Sequence, residues 1–214
     1  MRWNLVGSAA AMALLGAIAA SSGANAALVV DTGNNPPLGS LVIDNNACDA
    51  GIVNVGPATT ISACVQNDHG QQVDFTSDEL ITYAAGGQAQ IVSDDGNGFS
   101  YLKIEVVGQL ISKLILNIDA ITDGFVTFSD GVDTSAPQAL SGSGNNFFTI
   151  TGGPFSFIEF TATSGVAAIA LGDSVDDVKQ VRVTYGPRQQ VSEPALLGLL
   201  GLGLIGIAAA RRRA

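Results

Sequence analysis

What most restricts the folds open to this chain is a period of two, broken at short intervals by glycine and aspartate. In FSYLKIEV (99–106), Tyr101, Lys103 and Glu105 fall on one side while Leu102, Ile104 and Val106 fall on the other, as a half-buried strand requires. Further runs rich in β-branched and aromatic residues lie at 110–118, 124–129, 146–151, 155–162, 166–171 and 178–185. Between them stand DDGNG, SDGVD, SGSGNN and TGGP, all built from residues that favour turns. Short strands at this spacing predict an all-β fold, a β-sandwich or jelly roll. One helix is expected inside the pattern, at TSDELITYAA, where Thr76 and Glu79 have capping-box spacing.

The two ends follow other rules. At the start, Arg2 precedes a stretch (5–20) that is apolar apart from Gly7, Ser8 and Gly16. Ala24, Asn25 and Ala26 then form a small-residue cleavage pattern, so 1–26 reads as a secretory signal peptide and Ala27 as the mature start. At the other end, 195–210 holds no charge, amide or hydroxyl in 16 residues. As a helix it would span about 24 Å, against a hydrocarbon core of about 30 Å. Pro194 suits the first turn of such a helix, and Arg211, Arg212 and Arg213 can snorkel into headgroups, extending the span and holding the C-terminus in the cytoplasm. Gly201, Gly203 and Gly206 spell a dinucleotide fingerprint here, but no βαβ unit surrounds them, and glycines are common in membrane helices.

The mature part between these ends (27–190) carries eighteen carboxylates and five cationic side chains, a net of −13. Such a charge repels a phosphate backbone and excludes nucleic acid as a partner. Cys48 and Cys64 are the only cysteines. In the oxidising compartment to which a signal peptide leads, they are expected to form a disulfide. The competing arrangement is a cysteine nucleophile with His69 as base. His69 is the single histidine, so zinc sites built on several histidines are excluded, and Ser-His-Asp chemistry would have to run through it.

Val191, Ser192, Glu193 and Pro194, the apolar run and the terminal arginines together resemble the PEP-CTERM sorting signal of exopolysaccharide-producing Gram-negative bacteria. The usual first line of that signal is VPEP, and Ser192 departs from it. The resemblance implies an exosortase partner, a membrane-embedded cysteine transpeptidase that removes the tail, and a product left at the cell surface or in the extracellular matrix. It divides the chain into a signal peptide (1–26), an ectodomain (27–185), a short tether (186–190) and a sorting signal (191–214), whose helix is a transient inner-membrane anchor. The stretch DSVDDVKQVRV resembles the closing strand of many PEP-CTERM ectodomains. By further likeness to jelly-roll carbohydrate modules, Asp176 and Asp177 are expected ligands of a structural calcium. The remaining aspartates in DDGNG and SDGVD serve equally well as turn residues.

For the ectodomain the expectation is a non-enzymatic surface or matrix protein associated with exopolysaccharide, with no catalytic residue and no cofactor beyond that calcium. The alternatives are a carbohydrate-binding module and, less readily, a glycan-cleaving enzyme recruiting Glu105 and Glu159 as its carboxylate pair. Phe147, Phe148, Phe155, Phe157 and Phe160 are expected mainly in the core; the alternative is an aromatic platform for sugar rings, with Phe155 and Phe157 on one strand face and Phe160 on the other.

Overall fold

The computed structural model describes residues 27–33, 39–43, 48–49, 51, 53–84, 90–165 and 174–187. Among them are twelve strands, and no helix is long and apolar enough to cross a membrane. In chain order they are β1 (Val29–Thr32), β2 (Ser40–Ile43), β3 (Ala58–Val65), β4 (Asp68–Tyr83), β5 (Ile91–Ser93), β6 (Tyr101–Val106), β7 (Gln109–Ala120), β8 (Gly124–Ser129), β9 (Gln138–Leu140), β10 (Asn146–Thr151), β11 (Ile158–Ser164) and β12 (Val175–Pro187). Among the described residues the strand pairings are antiparallel.

Hydrogen bonding runs without a break in the order β1-β10-β7-β12-β2-β3-β4-β6-β11-β8-β9, and β5 pairs with both β12 and β4. The sheet folds over on itself. Phe128 on β8 meets Phe148 on β10 with ring centres 5.1 Å apart, although these strands are far apart in the hydrogen-bonded order. Phe160 on β11 lies 6.1 Å from Phe128 and 6.4 Å from Phe99, so four phenylalanines form the middle of the core. Each buried ring contributes about 1.5–3 kcal/mol relative to exposure.

The period of two places β8 and β10 on the runs that predicted them. Two other strands are displaced for reasons of pairing. Phe99 makes only an isolated bridge to Val175, so β6 starts at Tyr101; Phe155 bridges Ile111, so β11 starts at Ile158. The expected strand at 166–171 lies outside the described residues.

The helix expected at TSDELITYAA is instead strand. Thr76 pairs with Thr60 on one side and Lys103 on the other, and Phe75, Ser77, Ile81 and Tyr83 are buried while Thr76 and Thr82 are not. Capping-box spacing is a local signal worth about a kilocalorie per mole, and two cross-strand ladders outweigh it. The register jumps between Ala58–Ile81 and Thr60–Thr76, leaving Asp78, Glu79 and Leu80 exposed in a bulge. Gly56, at φ +85°, permits the close approach there, since a Cβ at this position would overlap the Ile81 carbonyl.

β12 carries three further irregularities against β7, two of which insert a residue into it. One extra residue, Asp176, falls between the pairs Val175–Ala120 and Asp177–Asp119; another falls between Lys179–Asn117 and Arg182–Ile115, where Gln180 takes φ +56°. These bulges decide where the charged side chains of β12 point.

Candidate functional site

The outward sides of β4, β6, β11 and β8 make one open polar face. Register lines up Thr76, Lys103, Glu159 and Ser129 as one row across the four strands, with Tyr101, Thr161 and Thr127 as the next. Tyr101 Oη donates to Glu159 Oε2 at 2.8 Å. Burial of the ring, the bond to Glu159 and that carboxylate's charge push the Tyr101 hydroxyl up to about 12. Lys103 Nζ sits 3.7 Å from Glu105 and 5.5 Å above the centre of the Phe157 ring. Asp74 accepts hydrogen bonds from Ser62 and Gln72, each at 2.7 Å. The two carboxylates weighed for glycan cleavage, Glu105 and Glu159, therefore share this open face, each engaged by a neighbour.

Phe147, Phe148, Phe155, Phe157 and Phe160 lie mainly in the core, and the alternative of an aromatic platform built from them is not formed. Phe155 is buried, and Phe157 precedes β11, half-buried beneath Lys103. Phe148 and Phe160 are core, and Phe147 is half-buried. The ring that stands in water is Phe125, at 51% exposure, in a strand whose neighbours Val126 and Phe128 are fully buried. Its place on the outward side of β8 was readable from GFVTFS once one side is assigned to the core. Phe125 lines a groove of about 410 Å³ together with Asp123, Ala139 and Ser141.

Asp176 and Asp177, side by side at the bulge, differ in burial. Asp177 is 6% exposed; its Oδ2 accepts a hydrogen bond from Gln90 at 2.9 Å and its Oδ1 lies 3.7 Å from Lys179 Nζ. Burial raises its pKa above the ordinary carboxylate value, Lys179 opposes the rise and Asp119 reinforces it. Burial works against the Lys179 ammonium, but its bond to Asp119 and the charges of Asp177 and Asp119 outweigh that and raise its pKa. Asp176 instead is exposed, at the edge of a second groove of about 300 Å³ shared with Asp119 and Asn145. An ion held by both carboxylates would compete with the Lys179 ammonium, which stands 3.7 Å from Asp177 Oδ1. Among the described residues, no group of three or more His, Cys, Asp or Glu is arranged to hold a metal.

Other aspartates are turn residues. Asp95 accepts from the Asn97 amide and side chain, which hold its pKa low, and Asp130 Oδ1 accepts from the amides of Val132 and Asp133.

Cys48 and Cys64 are joined in a disulfide, with Cα atoms 5.5 Å apart and a sequence separation of 16. Closing a loop of that size stabilises the fold by about 3 kcal/mol in the chain-entropy account. The bond removes Cys64 as a nucleophile, and His69 stands exposed on β4 with its carbonyl accepting from the Asp49 amide at 3.1 Å.

Ala27, the expected mature start, is exposed, and a Cβ on Gly152 would overlap its carbonyl. Ala24 and Ala26, the sorting residues Val191, Ser192, Glu193 and Pro194, the 195–210 run and Arg211, Arg212 and Arg213 lie outside the described residues. β12 delivers the chain to that region: its last paired residue is Pro187, opposite Gln109. Beyond it, residues 190–213 match the family model of the PEP-CTERM protein-sorting motif. The chain carries a PEP-CTERM sorting motif. That motif implies export to the cell-envelope surface and processing by an exosortase. Comparison with curated proteins and with solved structures gave no match. The PEP-CTERM motif starts at residue 190, so at most about 10 Å of extended chain separates it from the end of β12.

Proposed function

We propose that this is an exosortase-sorted surface or matrix protein whose all-β ectodomain, a two-layered sandwich, is non-enzymatic and associates with exopolysaccharide. The observation that carries the reading is the PEP-CTERM motif set directly after the closing strand. In this account the signal peptide is removed before Ala27, the 195–210 helix holds the folded domain against the inner membrane, and Arg211–Arg213 stop transfer until exosortase cuts near Val191–Pro194. Support for a non-enzymatic domain comes from Glu105 and Glu159, which lie on an open face and are engaged by Lys103 and Tyr101.

Mass spectrometry of the exported protein from cells with and without exosortase tests the sorting step. The expected result is a product starting at Ala27 and lacking Arg211–Arg213 only where the enzyme is present. Retention of Arg213 in exosortase-containing cells would make the tail a permanent anchor and overturn the proposal.

A carbohydrate-binding module is the second reading. It is favoured by one observation, the half-exposed Phe125 ring beside a groove on an otherwise polar face.

A further inference from the structure

We propose that the outward face of β8, β11 and β6 binds a neutral polysaccharide, with Phe125 as the ring on which a sugar stacks. This rests on the exopolysaccharide reading above and specifies both the surface and the chemical class of the polymer.

The ring comes first. Phe125 is 51% exposed while Phe128, three positions along the same strand, is fully buried. Its cross-strand neighbours are short, Ala139 on β9 and Thr163 on β11, so the row leaves the ring standing beside the groove instead of covering it. At the rim Asp123 uses one oxygen to accept the Gly142 amide at 2.8 Å. The apolar C–H face of a pyranose suits an aromatic ring, and its hydroxyls need partners within reach of the stack.

Those partners lie along the strands. The row after Phe125 is Thr127, Thr161 and Tyr101; the row after that is Ser129, Glu159 and Lys103. Adjacent strands stand about 4.8 Å apart, so donors and acceptors recur at the scale of single sugar units. Hydroxyls both give and accept, and carboxylates accept, which matches a polymer of vicinal hydroxyls. Phe157 takes no part, because Lys103 lies over its ring.

Charge selects the class. Lys103 is flanked by Glu105 and Glu159, Asp74 stands opposite Glu105, Asp78 accepts from the Tyr101 amide, and the mature part has a net of −13. A polyuronate or a second copy of this acidic domain would meet like charge, whereas a neutral glycan meets none.

The test is affinity electrophoresis of the exported protein, wild type and Phe125→Ala, through gels holding a neutral β-glucan, alginate or the host's own exopolysaccharide. Val132→Ala serves as a control, since Val132 is 77% exposed at a different groove. Wild-type retardation by the neutral polymer, weakened about tenfold in Phe125→Ala and unchanged in Val132→Ala, is the expected result. Retardation equal in both Phe125 forms overturns this face while leaving the exopolysaccharide reading standing. Retardation by alginate alone overturns the neutral class. No retardation by any polymer, including the host's own, overturns both. Sedimentation of the same samples adds the last outcome: self-association lost in Phe125→Ala makes the face a contact between copies and overturns the proposal.

Discussion

Two lysines on neighbouring parts of one sheet show how differently the same side chain can be used. Lys179, where β12 meets β7, is wedged between Asp119 and the buried Asp177. Lys103, on β6, lies on an open face between Glu105 and the Phe157 ring. The central part of β7, Leu114 to Ile118, is buried on both sides, including Asn117 at 0% exposure. β6, β8 and β11 are buried on one side only. Charged groups where β7 meets β12 are thus drawn into contact with one another beside a buried strand, whereas those on the outward face are open to solvent.

Breaking the link between these regions gives the largest effect. Phe128 joins them, touching Phe148 beside β7 and Phe160 on the β8–β11 side. Phe128→Ala is expected to cost about 4 kcal/mol by denaturant unfolding, against under about 0.5 kcal/mol for Phe125→Ala on the same strand. Equal losses would mean that the two sides of β8 are not inner and outer. Next comes the lysine pair. Lys179→Met leaves Asp177 buried without its cation and is expected to cost about 2 kcal/mol, while Lys103→Met stays within about 0.5 kcal/mol. A reversed order would dissolve the contrast.

The smallest effect is in pH. Tyr101 has its folded pKa raised to about 12 from 10.0, so the folded state holds its proton more tightly than the unfolded chain does. Its contribution is therefore complete below pH 10 and declines as pH rises towards 12. Ultraviolet titration is expected to show one phenolate appearing near 12. Tyr101→Phe should remove that late step and lessen the alkaline loss of stability. An unaltered titration in the variant would reassign the shift to another tyrosine.

Much of this architecture is legible wherever one side of a strand meets water. Strands β6, β8 and β10 follow from alternation and glycine turns because burial on one side imposes a period of two. β4 defeats the same reasoning: its Asp78–Leu80 bulge interrupts the alternation, and Thr76 and Glu79 imitate a helix start. Strands β1, β2, β5 and β9 span three or four residues each, too few for a period to show. For the site, the outward placing of Tyr101, Lys103 and Glu105 was readable from β6 alone. That Phe125, not Phe155 or Phe157, stands free depends on which strands lie beside each ring.

Taken by itself, the order of residues determines the all-β character, the acidic charge, the pair of cysteines in bonding reach and the PEP-CTERM motif, since each depends on composition or on neighbours close in sequence. Tertiary structure alone decides that Asp177 is buried beside Lys179 while Asp176 is exposed, and that Phe125 is the ring left in water. Those outcomes depend on bulges and pairings between segments dozens of residues apart, where a shift of one residue moves a side chain to the opposite side of the sheet.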